Sequence, residues 1–203
     1  MSARDEILSR VRSALGRQAS DPVPDPPPPA LAFITSSPAE RVETFRLALE
    51  ALAGKVSVAR TPAEAGDYVR AAVAGRTFAA SHAPLLAQCG IAASSFSRED
   101  YAKVDVGITS ADYALAETGS LVVLTESSES RLLSLLPPCH IAVVARSRIV
   151  ENLEQLLTLL PEPTANSSAM VIITGPSRTA DIEMLLVRGV HGPGEIHVVI
   201  LED

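Results

Sequence analysis

From about residue 38 onward the chain alternates short aliphatic, β-branched runs with stretches whose apolar residues fall at helical spacing. That alternation limits the possible folds more than any other feature. The runs 120–125 (Ser-Leu-Val-Val-Leu-Thr), 140–145 (His-Ile-Ala-Val-Val-Ala) and 196–201 (Ile-His-Val-Val-Ile-Leu) are apolar almost throughout. Strands of this kind are covered on both faces, as in a parallel sheet packed between helices. Further strands are read at 55–59, 76–80, 105–109 and 170–174. Helices are read at 38–53, 62–74, 84–89, 131–136, 149–160 and 179–188. The alternation predicts an α/β fold, a mostly parallel sheet flanked by helices on both faces. Aromatic residues are 3% of the chain and hydrophobic residues 47%, so the core is aliphatic.

The first part of the chain reads differently. Ile7, Leu8, Val11 and Leu15 lie at helical spacing within 2–18, and Gly16 is a natural stop. Asp-Pro-Val-Pro-Asp-Pro-Pro-Pro-Pro follows at 21–29. Proline at that density removes donors and fixes φ, which makes an extended spacer. The expected organisation is an amphipathic helix with its linker over 1–30 and an α/β domain over 31–203. The apolar stripe of the first helix needs cover, from its own domain, a second copy or another protein.

A formal charge of −7, from 17 basic and 24 acidic residues, leaves no electrostatic footprint for nucleic acid. The scarcity of aromatics argues against stacking of single-stranded bases. No apolar run reaches the roughly 18 residues of a membrane span and no signal peptide is read, so the cytoplasm is the expected location. Cys89 and Cys139 are isolated in sequence and cannot supply a four-cysteine cluster. They read as buried thiols. His82, His140, His191 and His197 form no spaced ligand set, and no metal site is expected. His140, at the start of a strand, reads as a core or capping histidine. No G-x-G-x-x-G, Walker or G-x-S-x-G pattern is present.

Three segments carry the residues that could do chemistry. The first, 109–120, gathers Asp112, Glu117, Thr118, Gly119 and Ser120 just before the most hydrophobic strand. Partial desolvation there would suit Glu117, and with it Asp112, to acid–base or nucleophilic work, with Thr118, Gly119 and Ser120 as ligand contacts. The same residues also suit a turn whose side chains cap backbone groups. The second, 174–183, holds Gly175, Ser177, Arg178 and Thr179 between a strand and an expected helix. A helix N-terminus with an arginine beside it binds anions, and an ordinary capped helix uses the same residue types. The third, 125–140, offers Arg131 after a polar loop. Glu117 and Arg178 are expected to share one pocket at the carboxyl ends of the strands.

Four stretches together resemble the lactate-utilization (LUD) domain family. They are Ala-Asp-Tyr-Ala-Leu-Ala-Glu-Thr-Gly-Ser (111–120), Arg-Leu-Leu-Ser-Leu-Leu-Pro-Pro (131–138), Thr-Gly-Pro-Ser-Arg-Thr-Ala-Asp-Ile-Glu (174–183) and Gly-Val-His-Gly-Pro (189–193). The N-terminal helix and Pro-rich spacer are similar to that family as well. The resemblance implies a NagB/RpiA/CoA-transferase-like fold, shared by sugar-phosphate isomerases, CoA transferases and formyltetrahydrofolate cyclo-ligase. It implies a component of a system oxidizing L-lactate to pyruvate, working beside iron–sulfur partner proteins and holding no cofactor itself. Ala-Glu-Thr-Gly (116–119) also resembles the Ser-Glu-Asn-Gly stretch that carries the catalytic Glu of CoA transferases, with Ala and Thr replacing Ser and Asn. The alternative reading is thus a free-standing enzyme for a small carboxylate, acyl-CoA or nucleotide, using Glu117.

Overall fold

The computed structural model describes residues 3–16, 20–22, 36–94, 100–125, 131–161, 167–180 and 186–203. The chain divides into one unit up to Phe33 and another from Ile34 to the end. In the first unit, α1 (Ala3–Leu15) buries none of its residues. Ile7, Val11 and Leu15 stand exposed along it.

The second unit opens with α2 (Pro38–Ala51). Ser37 and Glu40 start it with a capping box: the Ser37 hydroxyl accepts from Glu40 N at 3.3 Å, and Ser37 N donates to the Glu40 carboxylate at 2.7 Å. Pro38 sits at the first helical position, where no amide hydrogen is needed. Then follow β1 (Lys55–Ala59), α3 (Pro62–Val73), β2 (Phe78–Ala80), α4 (Pro84–Gln88) and β3 (Val106–Ser110). Next are β4 (Tyr113–Leu115), β5 (Ser120–Leu124), α5 (Arg131–Leu135), β6 (Cys139–Ala145), β7 (Ile149–Val150) and α6 (Leu153–Leu159). The last elements are β8 (Met170–Ile173), β9 (Arg178–Ala180), β10 (Leu186–Arg188) and β11 (Glu195–Leu201).

Five strands form the central sheet in the order β1-β11-β6-β3-β2. All are parallel. On one face, Ala65, Val69 and Leu86 of α3 and α4 pack on Ile108, Ile141 and Val199. On the other, Phe45 and Leu49 of α2 pack on Ala142, Val144, Val198 and Ile200. Side chains buried as fully as Phe45 and Leu49 each contribute about 1.5–3 kcal/mol. A smaller sheet, β7-β4-β5-β8, shares that second face through Ala114, Leu121 and Ile149. Within it β4–β5 and β5–β8 are antiparallel and β4–β7 is parallel.

Two expectations about elements are corrected. The helix read at 149–160 begins only at Leu153, because Ile149 and Val150 pair with Ala114 and Leu115 as a strand. Asn152 then caps the helix, accepting from Gln155 N at 3.0 Å. Where a helix was read at 179–188, the described residues 179–180 and 186–188 instead belong to two antiparallel strands, with Arg178 opposite Arg188 and Thr179 opposite Val187. Strand pairing uses the backbone groups that a helix start would have left free. Residues 181–185, in the middle of that expected helix, lie outside the described residues.

Candidate functional site

The turn between β4 and β5 is built around Gly119. Its φ is +64°, and a side chain there would place Cβ 2.5 Å from Leu49 N. Only glycine allows this backbone conformation together with so close an approach to α2. The turn is tied down by Ala116 N donating to Val150 O at 2.8 Å and Glu117 N donating to Glu151 O at 2.9 Å. Ser120, buried where β5 begins, links two other hydroxyls. Its Oγ lies 2.6 Å from Thr118 Oγ1 and 2.8 Å from Thr174 Oγ1, just past the end of β8.

Thr174 leads into a cavity of about 410 Å³. Ser134, Thr174, Gly175, Ser177, Arg178 and His191 supply the polar part of its lining. Gly175, at φ +75°, turns the chain beside Leu52 at the end of α2. The two loops that bound the cavity are laced together. Ser177 N donates to Pro193 O at 2.8 Å, Gly189 N donates to Ser177 O at 3.0 Å, and His191 N donates to Ser177 Oγ at 3.3 Å. Arg178 is exposed and donates to Leu52 O, which anchors one end of its guanidinium against α2. Ser134 is held on α5 by donating to Arg131 O at 2.9 Å. No carboxylate is among the described lining residues. The cavity therefore offers a cation, an imidazole and several hydroxyls, which suits a small anion.

Three stretches meet here, the first far from the other two in sequence: 131–138 through Ser134, 174–183 through Thr174 to Arg178, and 189–193 through His191 to Pro193. The fourth, 111–120, reaches the cavity through the Ser120–Thr174 contact. Gly175, Ser177 and Arg178 come together as expected neighbours, but the helix N-terminus expected to aid them is a strand. Thr179 pairs through its backbone in β9. Ser134 and His191 are contributors that sequence reasoning did not select. The signal for His191 was its place in the Gly-Val-His-Gly-Pro turn.

Other candidates lie elsewhere. Glu117 is exposed, so the desolvation expected of it is absent. It borders a different cavity, of about 290 Å³, with Ser36, Thr44, Glu151 and Asn152. The expected shared pocket with Arg178 is corrected accordingly: the two residues line different cavities, strung along the same helix α2. Arg178's cavity also lies beside Ile196, near the amino end of β11, not at the carboxyl ends of the central strands. Asp112 accepts from Leu124 N at 2.7 Å and so bridges the ends of β3 and β5. It lines a third cavity, of about 470 Å³, with Ser110, Tyr113 and Arg148. That cavity does open at the carboxyl ends of β3 and β6. Arg148 lies 5.3 Å from the Tyr113 ring centroid and donates to its hydroxyl at 3.1 Å. Arg131 is the exposed first residue of α5, and the loop 126–130 before it lies outside the described residues. His140 is fully buried, as a core histidine, with Nε2 2.9 Å from Thr109 Oγ1.

The sequence matches the family model of the LUD domain over residues 86–201. Among curated relatives, lactate utilization protein C of Halalkalibacterium halodurans is 42% identical over 105 residues, 50% of this chain and 46% of that protein. Lactate utilization protein C of Bacillus subtilis (strain 168) is 40% identical over 105 residues, 50% of this chain and 44% of that protein. The chain thus spans about half the length of the curated relatives it matches. Among solved structures, a DUF162 family protein from Deinococcus radiodurans superposes with a TM-score of 0.65, covering 82% of this chain and 99% of its own. At 19% identity that likeness speaks to the fold alone. Among the described residues, no helix is long and apolar enough to cross a membrane.

Proposed function

This chain belongs to the LUD domain family, and on that premise we propose that it serves in lactate utilization, supporting oxidation of L-lactate to pyruvate together with iron–sulfur partner proteins. The support from sequence is the similarity to proteins named lactate utilization protein C. The support from geometry is the convergence of sequence-distant stretches on one donor-rich cavity beside Arg178. A 2-hydroxy or 2-oxo carboxylate would meet the guanidinium with its carboxylate and the hydroxyls or His191 with its second oxygen.

Oxidizing the secondary alcohol removes two electrons and two protons, and amino-acid side chains are poor hydride acceptors. Cys89 and Cys139 are both buried free thiols. In this reading the chain holds the acid and the clusters of the partners take the electrons. Calorimetry of the full chain with L-lactate and with pyruvate tests it. Binding of either acid that is lost in Arg178→Ala supports the reading. Binding that survives Arg178→Ala unchanged would move the site elsewhere. Growth on L-lactate that is unaffected by loss of the gene would remove the proposed role.

A further inference from the structure

At the amino-terminal edge of the central sheet, on the face opposite the candidate cavity, six polar side chains from three adjacent strands and α3 with its following turn form one cluster. Cys139 opens β6 and is the register partner of Glu195, which opens β11. His197 lies two residues further along β11, and so on the same face of the pleat. Lys55 opens β1 directly opposite His197. Cys139 and His197 are buried, at 2% and 5% exposure. One ligand atom from each of Cys139, Glu195 and His197 lies within 4.8 Å of the others.

We propose that Cys139, Glu195 and His197 form a binding site for a thiophilic divalent cation of the zinc type, whose place is otherwise taken by the ammonium of Lys55. A thiolate, an imidazole and a carboxylate suit zinc, and three protein ligands leave a fourth position for water or a small ligand. The ligands stand on paired strands, so the sheet fixes their backbone positions in advance. The Lys55 ammonium marks where a cation is favoured, 2.6 Å from Glu195 Oε1 and 3.4 Å from His197 Nε2. It is a weak competitor, because its side chain is 58% exposed and can swing into solvent. Tyr68 OH, 2.9 Å from His197 Nδ1, can accept the Nδ1 proton and leave Nε2 as the ligand. Arg76 holds the other Glu195 oxygen at 3.1 Å, leaving Oε1 for the metal. Burial, and then the Glu195 carboxylate, push the Cys139 thiol up to about 11. Binding must therefore expel one thiol proton to solvent as the sulfur becomes a thiolate ligand.

The test uses cobalt(II), a spectroscopic stand-in for zinc, added to the full chain freed of metal. The expected result is one cobalt per chain with a thiolate-to-metal charge-transfer band. Cys139→Ser should abolish the band, while Cys89→Ser should keep it, which assigns the sulfur even if the first variant folds poorly. Lys55→Met should tighten binding, because the competing ammonium is gone. Tyr68→Phe should weaken it about tenfold or more, as loss of a partner to a metal-bound imidazole does. Absence of the band, its persistence in Cys139→Ser, or unchanged affinity in Lys55→Met would overturn the proposal.

Discussion

Gly119 and Arg178 show how much can hang on one residue. Gly119 combines a left-handed φ with backbone contact to α2, so Gly119→Ala incurs both the conformational cost and an overpacking cost. Together these amount to about 2–5 kcal/mol, and chemical denaturation of the full chain should show a loss of that size. The loss should come with a shifted Ser120–Thr174 contact, because the turn carries Ser120. Arg178 poses a different question, since charge alone would survive Arg178→Lys. A lysine cannot both anchor on Leu52 O and present a planar fork to a carboxylate. Arg178→Lys should therefore weaken L-lactate or pyruvate binding by about tenfold or more in calorimetry, a loss of about 1.4 kcal/mol or more. Equal affinity in the two proteins would argue against a bidentate contact.

Among the elements, α2 ties the cavities together. Its second turn lines, through Thr44, the cavity that Glu117 borders, its last turns touch Gly119, and Leu52 beyond its end meets Gly175 and Arg178. The capping box at its start should matter accordingly. Ser37→Ala should cost about 1 kcal/mol in denaturation experiments. The Ser37 amide and hydroxyl hold the Glu40 carboxyl below the usual carboxylate range. A carboxyl lowered on folding stabilises the protein above its unfolded pKa, and that contribution is lost as pH falls through the folded value. The cap should thus weaken only in acid, below the ordinary carboxylate range. Glu40→Gln should remove that part of the acid dependence, and an unchanged acid limb would show that the box contributes nothing there. The N-terminal helix should behave oppositely. No residue of α1 is buried, so deleting residues 1–29 should leave the thermal midpoint of the remaining chain nearly unchanged. A large fall would mean that this helix carries core packing.

For the whole molecule the sharpest expectation concerns the isolated chain. With no dinucleotide fingerprint in the sequence and both cysteines buried as thiols, the purified protein should give no pyruvate from L-lactate with artificial electron acceptors. Under the proposed function, activity should appear only when iron–sulfur partners are added. Dye reduction by the chain alone, driven by lactate, would place a redox centre within it. The candidate cavity lies on one face and the Cys139–Glu195–His197 cluster on the other, so each can be altered without rebuilding its counterpart.

The sequence by itself pointed to the parallel sheet through runs such as 140–145 and 196–201, although the equally apolar run 120–125 went to the smaller sheet, where its pairing partners lay antiparallel. It also located the start of α2 and the buried state of the two cysteines, while for His140 it left a core and a capping role open and the structure chose the core. It did not decide what becomes of short segments whose pattern serves helix and strand alike. Residues 149–150, 178–180 and 186–188 went to strands because a partner edge was available, and pairing is a property of the assembled chain. The candidate site divides along the same line. Arg178, Ser177 and Gly175 were read as donors at a helix start and instead lie where a turn enters β9, whereas Ser134 and His191 join them only through tertiary packing. Glu117 looked desolvated beside a hydrophobic strand, yet the turn faces it outward. The Cys139–Glu195–His197 cluster was invisible to spacing because its members sit side by side across strands. Lateral adjacency of that kind is set by sheet order, and only the tertiary structure decides that order.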